Sequence, residues 1–303
     1  MPEKEIIAQL PDEITAKIRR ISITTSKIVQ ETFTGRYQSA FKGRGMEFDS
    51  VREYQPGDEI RSIDWNVTAR TGRLQVKKFI EERELSVMLL LDTSFSCRFG
   101  SNTQLKSDLA AEICSVLAFS AIYNEDKVGL LLFTDKVEKI VPPKKGRNHV
   151  LRVIREALVY KPKGVKTDIR SPLNYLNKIM HQKGVCFIIS DFLAQDYQDI
   201  VGVTRQKHDI IVIRVIDPRE VDIPNVGLVA LDDAESGEQL IVDTSSAALR
   251  AEYREKSLNR LKSQEEFFSS NGIDIIDVYT NTPYINSLVR FFRKRVAKQR
   301  RGY

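Results

Sequence analysis

The chain has 303 residues, of which 42% are hydrophobic and 29% charged, with a formal charge of +6; these are the proportions of a folded globular protein and exclude disordered and fibrous classes. No apolar run approaches the roughly 18 residues of a membrane helix, and the opening MPEKEIIAQLPDE is acidic where a signal peptide is basic and then apolar, so the chain reads as cytoplasmic. The positive charge is confined to the end: Thr282 to Tyr303 holds seven basic residues and no acidic one, while the rest carries 40 basic and 41 acidic residues, a poor match to a broad phosphate-tracking surface.

In chain order, residues 1–84 form a region of their own, with an amphipathic segment from about Asp12 to Thr32 and then short strand-like pieces dense in Gly, Arg and Asp. From residue 85 to 303, apolar runs alternate with longer amphipathic segments, the rhythm of an α/β fold with a parallel sheet. The predicted strands are Ser86–Asp92, Lys127–Asp135, Val185–Asp191, Asp209–Asp217 and Ile273–Tyr279; as nearly continuous apolar runs they imply burial on both faces by covering helices. Leu105, Leu109, Ile113, Val116, Leu117 and Ser120 share a helical stripe, opened by the cap-capable Ser101, Asn102 and Thr103. Further helical stripes cover about His149–Val159, Ile169–Met180 and Ser245–Ser270. VGLVALDD and GEQLIVD read as an antiparallel hairpin turning near Glu235, Ser236 and Gly237, placed at a sheet edge or as an insertion. The final segment sets Ile285, Leu288, Val289, Phe292 and Val296 on one stripe with Arg and Lys on the other faces. That pattern suits a last helix packed on the sheet, or binding to nucleic acid or an anionic membrane. Three cysteines match no zinc or CxxC spacing, and Cys114 and Cys186 fall on core positions.

Ligands of open parallel sheets gather outside the carboxyl ends of strands, where the strand order reverses. Asp92 ends the first strand and is followed by Ser94 and Ser96 at alternate positions, so one carboxylate and two hydroxyls can converge on a hard cation. Thr167 in GVKTD and Asp191 in IISDF add oxygens from two further loops. Few anionic ligands favour Mg²⁺, with Mn²⁺ able to substitute, and leave a position open to a partner's carboxylate. Asp92 alone also suits a strand-end cap, and Asp168 suits either a helix N-terminus or a supporting acceptor.

DTSFS resembles the DxSxS of von Willebrand factor A domains, and KTDI and ISDF resemble the threonine and second aspartate of their metal-ion-dependent adhesion site (MIDAS). The resemblance implies a von Willebrand A-like, Rossmann-like, mainly parallel sheet with helices on both faces over residues 85–303. Upstream, GRGMEFDSVREYQPGDEIRSIDWNVTARTGRLQVKKFIEERE resembles the signature of the bacterial family called domain of unknown function fifty-eight. Members of that family often accompany MoxR-type AAA+ ATPases, so the resemblance implies an adaptor or co-chaperone-like partner of such an ATPase with a protein client. The chain departs from the common pattern in having Cys97 where many relatives have methionine and in lacking the membrane spans some carry.

Within that signature, Pro56, Gly57 and Asp58 are turn chemistry, and Asp58, Arg61, Asp64 and Arg70 surround the single tryptophan, Trp65. Two readings stand: buried or half-buried Arg–carboxylate pairs around Trp65 that tie this region to the main domain, or a docking surface formed by Arg61, Trp65 and Arg70. Gly43 and Gly45 lack the third glycine of a dinucleotide fingerprint, and no GxxxxGK[ST] loop occurs, so ATP hydrolysis belongs to a partner. The leading function is a metal-dependent protein-interaction module and not an enzyme. The alternatives are a phosphotransferase or hydrolase using Asp92, disfavoured by Ser94 where a second acid would stand, and nucleic-acid or membrane-surface binding by the last helix. Serine hydrolysis lacks GxSxG, and only His149, His181 and His208 are available as bases.

Overall fold

The computed structural model describes residues 47–80, 85–101, 104–232 and 239–301. The expected amphipathic segment at 12–32, Gly43, Gly45, Asn102, Thr103 and the hairpin turn at 235–237 lie outside the described residues.

Six strands form the central sheet: β3 (Ser86–Asp92), β4 (Lys127–Phe133), β5 (Val137–Lys144), β6 (Val185–Ser190), β7 (Asp209–Ile216) and β10 (Asp274–Tyr279). Their order is β10-β7-β6-β3-β4-β5, all parallel except β5, which runs antiparallel to β4 at the edge. This is the mainly parallel sheet, covered by helices on both faces, that was expected. The predicted strand 127–135 stops two residues early because Thr134 begins a tight connection into β5. The edge strand β5 has no counterpart among the predicted strands; its Pro142 and Pro143 fall where the pairing register with β4 shifts between Val128 and Leu130, a bulge at the sheet edge that needs no ladder donor from them.

Alternation along the strands divides the apolar residues between two cores. Val87, Leu89 and Leu91 of β3 join the core beneath α2 (Lys106–Tyr123), α3 (Arg147–Val159) and α7 (Tyr284–Arg301). Met88 and Leu90 face the opposite core, beneath α4 (Arg170–Ile179), α5 (Gln198–Lys207) and α6 (Ala247–Ser270). Burying each such leucine contributes about 1.5–3 kcal/mol, so these two layers dominate the fold.

α2 departs from its expectation. It is buried on nearly every side rather than along one stripe, because it lies across the sheet and also packs α3. Its buried hydroxyls bond back along the helix, Ser115 to the Ala111 carbonyl at 2.7 Å and Ser120 to that of Val116 at 2.9 Å. Leu105 occupies its N-cap position without a side-chain cap, and Ser101, expected to cap it, instead holds Asp217. α7 packs Leu288, Phe291 and Phe292 into the first core and leaves Arg290, Arg293, Lys294 and Lys298 exposed, as a last helix packed on the sheet requires.

The chain between β7 and β10 carries β8 (Leu228–Asp232) and β9 (Gln239–Asp243), the expected antiparallel hairpin, as a separate two-stranded ribbon. A second ribbon precedes the main sheet: β1 (Glu47–Glu53) pairs with β2 (Gln75–Ile80) around α1 (Trp65–Thr71). Asp64 caps α1 by accepting the Asn66 and Val67 amides at 3.0 and 3.2 Å, and Gly72 ends it at φ 71°, where a left-handed residue closes the last turn.

Trp65 is 62% exposed, so the expected packing of this tryptophan among buried ion pairs does not form. Asp58 pairs with Arg52 at 2.6 Å, a half-buried pair, and Asp64 caps α1 through one oxygen and pairs with Lys77 at 3.7 Å through the other. Among the described residues, no helix is long and apolar enough to cross a membrane.

Candidate metal centre

β4 and β5 lie on one side of β3, and β6, β7 and β10 on the other, so the chain reverses direction across the sheet between β3 and β6. Leu91 pairs with Ile189 in that central register, which sets Asp92 beside Ser190 at the carboxyl ends, with Asp191 one residue further on.

Asp92 is buried, and its two oxygens are tied down separately. Oδ1 accepts the Ser94 amide at 2.9 Å and Oδ2 accepts the Ser190 hydroxyl at 2.6 Å. The buried hydroxyls of Ser94 and Ser96 stand 3.1 Å apart in the same turn. Asp191 Oδ1 accepts the Leu193 amide at 3.2 Å, and Oδ2 accepts the Lys106 ammonium at 2.8 Å. One ligand atom from each of Asp92, Cys97 and Asp191 lies within 4.8 Å of the others.

Backbone geometry fixes Asp191. The next residue, Phe192, adopts φ 55°, a conformation costly for an aromatic residue, and is held there by ring contacts with Tyr197 and Phe268 at centroid distances of 5.7 and 5.4 Å. Gln264 of α6 donates to the Phe192 carbonyl at 2.7 Å, and the Phe192 amide donates to the Ser190 hydroxyl at 3.1 Å.

Thr167 belongs to the loop before α4. That loop is fastened by the Phe95 amide donating to the Val165 carbonyl and by the Asp168 amide donating to that of Thr134, both at 2.9 Å. The hydroxyl of Thr167 is buried and has no hydrogen-bond partner. Asp168 accepts the Arg170 amide at 2.8 Å, a helix N-terminal role.

Burial, reinforced by the Asp191 carboxylate, pushes the Asp92 carboxyl up to about 7 against the pull of its bonds from Ser190 and Ser94. Burial and then the two carboxylates also push the Cys97 thiol well up. Asp92, Ser94, Ser96 and Asp191 offer oxygens, the set preferred by Mg²⁺ or Mn²⁺, with the Cys97 sulfur beside them. An orphaned hydroxyl at Thr167 and a carboxylate whose charge is opposed by its surroundings are both features that a cation would satisfy.

Of the five predicted oxygens, the structure brings Asp92, Ser94, Ser96 and Asp191 into one buried cluster and fastens the Thr167 loop to the same turn. Arg61, Trp65 and Arg70 are exposed on the preceding ribbon and α1. Sequence reasoning missed Ser190, Glu220 and Lys106. Ser190 was visible inside ISDF; Lys106 gave no signal, since a lysine opening a helix ordinarily reads as solvated.

All three histidines sit at the other end of the parallel strands. His149 bonds the Val128 carbonyl at 2.9 Å, His208 precedes β7 and contacts the Gly184 amide, and His181 lines a groove with Ser86 and Lys127. None is placed to serve as a base for Ser94 or Ser96.

The family described as "Protein of unknown function DUF58" matches residues 50–263. An uncharacterized protein of Mycobacterium tuberculosis is 30% identical over 295 residues, covering 96% of this chain and 91% of its own length. Among solved structures, an aerotolerance-related membrane protein from Bacteroides fragilis aligns with 71% of this chain and 99% of its own at 16% identity and a TM-score of 0.45. The VWA domain of SpRpn10 aligns with 69% of this chain and 95% of its own at 14% identity and a TM-score of 0.38.

Proposed function

This chain belongs to the DUF58 family, and we propose that it is a metal-dependent protein-interaction module that grips an acidic side chain of a MoxR-type AAA+ ATPase or of that ATPase's client. One observation carries the reading: a buried oxygen cluster without a histidine base lies in loops that also carry exposed apolar side chains. Phe95 and Phe99 are each 45% exposed, and Val165 and Leu193 flank Thr167 and Asp191. An apolar rim around a desolvated polar centre is the anatomy of a docking site, where the rim excludes water from the central contact.

Asp92, Ser94, Ser96, Thr167 and Asp191 would hold Mg²⁺ or Mn²⁺, some through water. The ion would supply Lewis-acid attraction for a carboxylate from the partner. The protein's own part is to exclude water with Phe95 and Phe99, to orient Asp92 through Ser94 and Ser190, and to fix Asp191 through Phe192. The absence of a phosphate loop in the sequence assigns nucleotide hydrolysis to the partner. Arg61, Trp65 and Arg70 offer a second, metal-independent contact.

The test is surface binding of the purified full chain to a purified MoxR-type ATPase from the same cell, in Mg²⁺ and in chelator. Affinity should fall about tenfold or more with chelator and with Asp92→Ala, the loss of roughly one charge-assisted contact. Trp65→Ala should weaken binding equally in both buffers. Binding that ignores chelator and Asp92→Ala but disappears with Trp65→Ala would remove the metal from the account.

A further inference from the structure

Lys106 is fully buried at the first residue of α2, against the positive end of the helix dipole. Both placements oppose an ammonium. What offsets them is a pair of carboxylates, Asp191 and Glu220, between which the side chain is held. Its Nζ donates to Asp191 Oδ2 at 2.8 Å and to Glu220 Oε1 on the other side. Glu220 is held in turn by the 3-10 turn Pro218–Glu220, where Asp217 accepts the Arg219 amide at 2.9 Å and Glu220 accepts the Asp217 amide at 3.2 Å. A buried ion pair of this kind contributes little net stability compared with apolar packing. Its position matters more: the oxygen it occupies belongs to the second carboxylate of the candidate metal centre.

We propose that Lys106 is a resident counter-cation that competes with the divalent ion for Asp191, so that the chain alone binds the ion weakly and a partner's carboxylate is needed to hold it firmly. This inference rests on the metal reading above and deepens it. With Asp191 neutralised by Lys106, a divalent ion meets mainly Asp92 and the neutral hydroxyls. It therefore keeps positive charge uncompensated by the chain, and it is repelled by the ammonium as it enters. An acidic partner relieves both deficits. Metal and partner then bind cooperatively, each raising the affinity for the other by the same factor. Glu220 sets the balance, because it draws the ammonium away from Asp191.

Calorimetric titration of Mn²⁺ into the full chain, paired with thermal melting, tests this. Lys106→Gln should bind Mn²⁺ about tenfold tighter than wild type or better, since a repulsion between close charges in a buried site is removed, and its melting temperature should rise more on adding Mn²⁺. Lys106→Arg, which keeps the charge, should remain weak. Glu220→Gln, which leaves the ammonium to Asp191 alone, should bind more weakly than wild type. A folded Lys106→Gln with wild-type or lower affinity would make Lys106 a merely structural residue, while the metal reading would stand as long as Asp92→Ala reduces binding. If Lys106→Gln does not fold, Glu220→Gln decides: affinity equal to or above wild type overturns the competition. No Mn²⁺ binding by wild type or by Lys106→Gln would overturn the metal reading and this inference together.

Discussion

Ser190 joins the two carboxylate loops at the scale of single atoms, because its hydroxyl donates to Asp92 while accepting the Phe192 amide. Ser190→Ala removes both bonds from a site closed to water. Hydrogen bonds to charged groups contribute about 1.5–3 kcal/mol, so urea unfolding should show a loss in that range; a change under about 0.5 kcal/mol, the usual span of neutral surface substitutions, would mean that Asp92 is held without it. Asp92, Ser94, Ser96 and Asp191 were legible in the sequence because strand ends and alternate spacing bring oxygens to one place. Lys106 and Glu220 were not: their pairing crosses 114 positions and depends on tertiary burial. Trp65 failed in the opposite direction, since aromatic and charged residues close in sequence suggested an interior that the fold does not build there.

Among the elements, the loop before α4 decides where Thr167 stands. Glu138 of β5 anchors it by accepting the Gly164 amide at 2.7 Å and the Lys163 amide at 3.3 Å, with further bonds from Thr134 and Tyr160. A side chain at Gly164 would collide with the side chains of Thr134 and Asp135, so Gly164→Ala must displace them or the loop, and Thr134 is itself bonded to the Glu138 anchor. It should lower Mn²⁺ affinity while the melting temperature changes by only a few degrees; unchanged affinity would place Thr167 outside the site. Burial raises the Glu138 carboxyl, but these bonds outweigh it and hold the group below its ordinary value of 4.5. A lowered carboxylate contributes stability that is complete above its unfolded pKa and is lost as pH falls through the folded one. Glu138→Gln should therefore narrow the stability gap between neutral pH and pH below about 4.5, whereas an equally steep acid loss in the variant would assign that loss to other carboxylates. The main strands and most helices were legible because continuous apolar runs mark a sheet covered on both faces. β5 was not, because a bulge at the sheet edge rather than local propensity accommodates its prolines.

For the molecule as a whole, both hydrophobic cores are built from residues after 85, and the preceding ribbon buries only Ile63 and Val76 among its described apolar residues. Trp65, being exposed, does not tie this ribbon down by its own burial. A chain of residues 85–303 should melt cooperatively within a few degrees of the full protein and should still bind Mn²⁺; a much lower or broad transition would show that the first region completes the fold. The metal reading turns on one ion at one place. Anomalous diffraction from crystals of the full chain grown with Mn²⁺ should show one strong peak within coordination reach of Asp92 and the Ser94 and Ser96 hydroxyls, absent from Asp92→Ala crystals. No peak there at saturating Mn²⁺, or the same peak retained in Asp92→Ala, would contradict it.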